Sequence, residues 1–226
     1  RLQEALASGS RTVFHYKGNI TPPASYDAWR DLIRALAAHL VERYGAEEVR
    51  RWFFEVWNEP NLDFFWAGTM DEYFRLYRSA ASAIKSVDPE LKVGGPATAI
   101  DAWIHELRKF CEEGGLPLDF VSTHHYPTDA AFGLDMSLED QMARAERGVL
   151  GARTRKALEE AGPLPLYYTE WNCSPSPRDP YHDLPYNAAF VVKSIGDNMG
   201  LLGCYSYWTF SDIFEECGLS SVPFHG

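Results

Sequence analysis

Two glutamates stand in matching settings in well-separated parts of the chain. Glu59 lies in VWNEPN (56–61) and Glu170 in LYYTEWN (166–172), each at the end of an apolar run and each with a Trp and an Asn close by. One carboxyl in such a place is as readily a solvated loop residue or a helix cap. Two that converge on one opening are the pair that hydrolysis of a glycosidic bond requires, a protonated acid at the leaving oxygen and an ionised group at the anomeric carbon. A gap of about 5–5.5 Å between them implies retention and one of about 6.5–9.5 Å leaves room for water and inversion. Sequence spacing is silent on that gap. A third polar cluster, His124, His125 and Tyr126, also ends an apolar run. It lacks a third ligand at motif spacing, so no metal is expected there, and no organic cofactor is expected either.

The elements that must position these groups follow from periodicity. Residues 26–44 read as a helix, with Ser25 as cap, Gly45 as stop, and Trp29, Leu32, Ile33, Leu36 and Leu40 as its apolar stripe. Residues 52–59 read as a strand, on which alternation puts Glu55, Trp57 and Glu59 on one side. Thr69 and Glu72 are spaced as a capping box for a second helix carrying Tyr73, Phe74, Tyr77, Ala80, Ala81 and Ile84. Strands follow at 91–96, 118–127, 164–172 and 201–212, with a stub at 11–16. Between them come helices capped by Asp101, over 137–162 with an interruption near Gly148 and Gly151, and over 183–198. On the 164–170 strand, alternation groups Leu166, Tyr168 and Glu170.

Strand–helix alternation with near-continuous apolar strands predicts a parallel sheet covered by helices. Polar or aromatic groups gather at the C-terminal end of strand after strand, which favours a (β/α)8 TIM barrel, whose sites form at that end. A doubly wound sheet is the alternative; it would gather its ligand at one switch point, and neither GxGxxG nor a phosphate-cradling Gly-Lys-Ser/Thr loop is present. A closed barrel takes about 250 residues and eight strands. The 226 residues here accommodate five clear strands, so the chain is expected to be an N- and C-terminally truncated segment carrying about strands 3/4 to 8. An open barrel exposes strand edges, and a homo-oligomer is one way of covering them.

Composition narrows the partner. A net charge of -11 argues against nucleic acid and anionic membranes and suits a small neutral ligand. No apolar stretch reaches the ~20 residues of a spanning helix. Four cysteines without close spacing favour reduced thiols and a cytoplasmic location. The N-terminus reads like a cut into a longer chain.

Several separated motifs then share one resemblance. VWNEPN (56–61), HHYP (124–127), YYTEWNCSPS (167–176), SYWTFSDIFEE (206–216), VFHYKGNITPP (13–23) and KVGGP (92–96) resemble glycoside hydrolase family 39, the β-xylosidase branch of clan A, over nearly the whole chain. The resemblance implies a retaining double-displacement xylan 1,4-β-xylosidase that releases xylose from the non-reducing ends of xylo-oligosaccharides. It places Glu59 at the acid/base position on the fourth barrel strand and Glu170 at the nucleophile position on the seventh. By the same likeness Asn58 would grip the sugar 2-OH, Tyr126 the nucleophile, and His124 the acid/base or the sugar. Trp208 would form the platform under the ring, and Glu215 and Glu216 would bind xylose hydroxyls. Trp171 would wall the opening or fill core, and His125, where that branch has a small residue, would support its neighbours. An α-L-iduronidase, another clan A glycosidase, and a non-catalytic carbohydrate-binding barrel fragment are the alternatives.

Overall fold

The computed structural model describes residues 19–131, 137, 140, 149–176 and 179–209. The 11–16 stub, Gly148, Glu215 and Glu216 lie outside them. The first helix, α1 (Tyr26–Tyr44), has the expected ends: Ser25 Oγ accepts from the Ala28 amide, and the chain leaves through Gly45 at φ 86°. Its inward line is Trp29, Ile33, Ala37 and Leu40. Leu32 and Leu36 are 60% and 47% exposed, so they do not belong to the buried stripe. Each precedes an inward residue by one position, which rotates it about 100° off the seam.

A short helix, α2 (Ala46–Val49), leads to strand β1 (Phe53–Glu55). Helix α3 (Met70–Val87) begins at a complete capping box, Thr69 and Glu72 exchanging side-chain and backbone hydrogen bonds. Such a cap stabilises a helix by about 1 kcal/mol. The alternation continues with β2 (Lys92–Thr98), α4 (Ile104–Gly114) and β3 (Phe120–His125). It ends with α5 (Val149–Ala161), β4 (Leu166–Trp171), α6 (Pro185–Asp197) and β5 (Cys204–Tyr207). Helix α5 runs through Gly151 without a break.

All neighbouring strands pair in parallel, in the order β1-β2-β3-β4-β5. Five sequential parallel strands with helices between them are an open segment of a (β/α) barrel. Toward the helices, Val56, Val93, Tyr73, Tyr77, Leu76 and Leu107 form one core. The Tyr73 hydroxyl bonds Val56 O at 3.0 Å and Pro96 O at 3.3 Å, satisfying its polar end inside that core. On the opposite, inner face the rings of Phe53, Phe120 and Tyr167 pack at centroid distances of 5.1–5.5 Å. Gly94 permits this layer: a Cβ there would collide with Phe120 O and lie 2.6 Å from a carbon of the Phe120 ring.

Two expectations need correction. Asp101 does not cap α4, which starts at Trp103 with no side-chain cap. Asp101 closes a 3-10 turn, Ala99–Asp101, and faces His125 instead. The strand expected over 52–59 is regular only to Glu55. Among the described residues no helix is long and apolar enough to cross a membrane.

Candidate active site

Glu59 reaches the site through a backbone that has left regular extension. Pairing with β2 persists past β1, Val56 N to Gly94 O at 3.1 Å and Glu59 N to Ala97 O at 2.8 Å. Between these bonds Trp57 (φ 72°) and Glu59 (φ 44°) are left-handed, as is Ala97 (φ 52°) on the partner strand. Non-glycine residues adopt such angles at a cost of order 1 kcal/mol each, and only where the surroundings over-determine them. Here Trp57 is clamped by Trp66 and Trp29 at 5.4 and 6.3 Å, and its Nε1 donates to Phe65 O at 3.1 Å. Simple alternation along 55, 57 and 59 therefore does not describe how Glu59 is aimed.

Glu170 depends on a second irregularity. Leu166 packs with Ile104, Val121, Ala157 and Ala161, and Tyr168 meets Thr154 of α5, so both face the helices, while Tyr167 faces inward. Thr123 pairs with Tyr168 but His124 pairs with Glu170, leaving Thr169 as an extra residue. A bulge of this kind changes the phase of a strand and re-aims the next side chain. Glu170 thus points into the mouth although Leu166 and Tyr168 do not.

The two carboxyls converge on His124. His124 Nδ1 lies 3.0 Å from Glu59 Oε1 and 3.5 Å from Glu170 Oε2, and the ligand atoms of all three residues lie within 4.8 Å of one another. The Tyr126 hydroxyl donates to Glu170 Oε2 at 3.0 Å. The glutamate side chains are only 10% and 19% exposed. Burial pushes Glu170 above the ordinary glutamate range; His124 and the Tyr126 hydrogen bond oppose the rise, and the charges of Glu59 and Glu55 add to it. For His124 burial is the largest effect and disfavours its charge, yet the hydrogen bond to Glu59 and the nearby charges of Glu170, Glu59 and Glu55 leave its pKa raised. Burial, followed by the charges of Glu170 and Glu59, holds the Tyr126 phenol well above its usual pKa. The arrangement can store and transfer protons between two carboxyls.

The remaining sequence-predicted residues divide. Asn58 is half-buried, and its side chain makes no hydrogen bond among the described residues. Trp208 is half-buried at the end of β5, its amide donating to Trp171 O at 3.0 Å and its carbonyl accepting from Asn172 Nδ2 at 2.7 Å. Trp171 packs among Phe190, Tyr205 and Tyr207 in the helix layer, so it fills core and does not wall the mouth. His125 points away from the carboxyl pair toward Asp101, with Tyr168 alongside.

Sequence reasoning gave no role at the site to Glu55, Asn61 or Asp129. Glu55 lies on the inner face and contributes charge to the pair; its position two residues beyond Phe53 was the available signal. Asn61 ties the Glu59 loop to the turn after β2, donating to Ala99 O and accepting from Ala99 N, both at 2.9 Å. Asp129 accepts from the Tyr126 amide at 3.0 Å; burial pushes its carboxyl up to about 7, with His125 opposing. Neither of these last two contacts has a sequence signature.

A further buried group, Cys173, Asp179 and His182, also brings ligand atoms within 4.8 Å of one another. Hydrogen bonds account for it: Ser174 Oγ donates to Asp179 Oδ2, and Tyr181 N donates to Asp179 Oδ1 at 2.8 Å. Burial pushes the Cys173 thiol up to about 12.

Known proteins share this chain's sequence and shape. The family model of glycosyl hydrolases family 39 matches residues 1–226. A β-xylosidase of Caldicellulosiruptor saccharolyticus is 70% identical over the whole chain, and one of Geobacillus stearothermophilus 46% identical. The chain spans 46% of each of these relatives, about half their length. A monomeric β-xylosidase from Caulobacter crescentus CB15 superimposes with a TM-score of 0.83 at 42% identity, over 97% of this chain and 45% of that one. The chain belongs to glycoside hydrolase family 39, on its β-xylosidase branch.

Proposed function

We propose that the protein carrying this chain is a retaining β-xylosidase that removes xylose from the non-reducing ends of short xylo-oligosaccharides. The observation that supports this reading best is the approach of Glu59 and Glu170 to within 4.8 Å around His124. That spacing suits direct attack by one carboxylate better than a gap that must hold water.

In the first step Glu170 attacks the anomeric carbon while Glu59 gives its proton to the leaving oxygen, and the glycosidic bond breaks. A xylosyl ester of Glu170 results. In the second step Glu59 takes a proton from water, whose oxygen attacks the anomeric carbon and releases Glu170 as carboxylate. Tyr126 supports ionised Glu170 by donating to Oε2, and His124 holds Glu59 Oε1 in register. Asn58, with its amide unengaged among the described residues, is the candidate partner for the sugar 2-OH. Trp208 is the candidate platform, and Glu215 and Glu216 belong to the same reading as hydroxyl-binding groups. Three described cysteines are unpaired, which accords with a reducing compartment.

The test uses the natural full-length protein on aryl β-xyloside, aryl α-L-iduronide and aryl β-glucoside. β-Xyloside should be the preferred substrate, with β-xylose as the first-formed product. Glu59→Ala and Glu170→Ala should each lower turnover by roughly 10²–10⁴-fold. Azide should rescue them to opposite anomers, β-xylosyl azide for Glu59→Ala and α-xylosyl azide for Glu170→Ala. Preference for iduronide or glucoside would replace the glycone assignment. Binding of xylo-oligosaccharides without turnover would replace the enzyme by a binding protein.

A further inference from the structure

The turn after β2 is a junction between the two halves of the carboxyl pair. Ala97 O holds the Glu59 amide and Ala99 holds Asn61, so the loop carrying Glu59 hangs from residues 97–99. Thr123 Oγ1 donates to Thr98 O at 3.0 Å, joining the same turn to β3. At the end of this turn Asp101 adopts φ 55°, and its carboxylate faces His125 on the helix side of the sheet. Its Oδ2 lies 3.1 Å from His125 Nδ1, and the two side chains are 8% and 4% exposed. The two groups do not form an aligned hydrogen bond, so their contact is one of close packing. His125 sits in the chain between His124, which touches Glu59, and Tyr126, which touches Glu170.

We propose that Asp101 is a positioning residue: through its buried contact with His125 it locks the turn that carries Glu59 to the strand end that carries His124 and Tyr126. Two carboxyls that act on one bond must be held within a fraction of an ångström, and misplacement by about 1 Å can lower turnover about 100-fold. Asp101 touches no substrate. It sets the relation of Glu59 to Glu170 from behind the sheet, on the helix side where Tyr168 and Thr154 lie. The placement gives a role to a carboxylate that lies in a buried turn and caps no helix.

The proposal rests on the hydrolase reading above, and its test separates the two. In the natural full-length protein, Asp101→Ala and the isosteric Asp101→Asn are compared with Arg50→Ala. Arg50 lies before β1 and pairs with Asp88 at 2.8 Å, so its loss perturbs stability at the opposite end of the strands. Turnover is expressed per active site titrated with a mechanism-based inactivator, on aryl β-xylosides with a poor and an activated leaving group. Asp101→Ala should lower kcat/KM per site, which reports the steps up to breakage of the glycosidic bond, about 10- to 100-fold on the poor leaving group, which needs the proton of Glu59, and by less than about threefold on the activated one. Asp101→Asn should recover much of the loss, and Arg50→Ala should lower Tm with kcat per site unchanged. The His124 imidazole nitrogen NMR signals should move in Asp101→Ala and stay in Arg50→Ala. Equal losses on both substrates, no loss per site, or unmoved His124 signals would overturn the role of Asp101. A wild-type protein inactive on β-xylosides would overturn the hydrolase reading alone, while the His124 signals would still decide whether Asp101 positions the site.

Discussion

Replacing Tyr126 by Phe removes one oxygen and little else. That oxygen donates to Glu170 Oε2 at 3.0 Å inside a site where Glu170 is mostly buried. A hydrogen bond to a charged group contributes about 1.5–3 kcal/mol. Its loss disfavours the carboxylate and leaves the protonated acid nearly untouched, so a group already raised by burial rises further. At about 1.4 kcal/mol per tenfold, the ionised fraction of Glu170 on the acid side of the profile falls about 10- to 150-fold. On the plateau the nucleophile is ionised in both proteins, and kcat/KM should stay within about threefold. The assay is kcat/KM for an aryl β-xyloside across the acid and neutral range. The acid limb of the wild type should already lie above the ordinary glutamate value of 4.5, and that of Tyr126→Phe above the wild type. An unmoved limb together with a collapsed plateau would refute this account, because Tyr126 would then act on the sugar or the fold and not on the charge of Glu170.

Two further outcomes follow from the same structure. Glu170 has a folded pKa above 4.5, so its contribution to stability is fully present below that pH and is lost as pH rises through the folded value. Glu170→Gln should therefore raise Tm at neutral pH, by about 2–4 °C per kcal/mol relieved, and give no advantage below pH 4.5, as read by thermal denaturation at both pH values. Gly94→Ala would drive a Cβ onto Phe120 O, a backbone atom that cannot turn aside. Separating β2 from β3 should cost about 1–3 kcal/mol or more, measurable by denaturant unfolding, and a variant as stable as the wild type would contradict the close approach.

Much of the architecture was legible because it rests on local chemistry. Ser25 and Gly45 bound α1, Thr69 and Glu72 start α3, and the apolar runs at 91–96, 118–127 and 164–172 become neighbouring parallel strands. The residue types at 58–59, 124–126 and 170 also marked a site before any coordinates, since glutamates beside aromatics at strand ends are costly to place without use. Side-chain direction was less legible. Period-2 alternation put Leu166, Tyr168 and Glu170 together, and the helical stripe included Leu32 and Leu36.

The amino-acid sequence by itself determined the order of strands and helices, the caps that start and stop them, and the family to which the chain belongs. Only tertiary structure decided that Glu59 and Glu170 face each other. The left-handed residues Trp57, Glu59 and Ala97 and the extra residue Thr169 each shift the phase of a strand, and such shifts are stabilised by contacts from other elements. The same holds for Asp101, whose preference as a helix cap yields to a buried imidazole on the next strand. Local propensities are worth tenths of a kcal/mol to about 1 kcal/mol, and burial in a packed aromatic shell outweighs them.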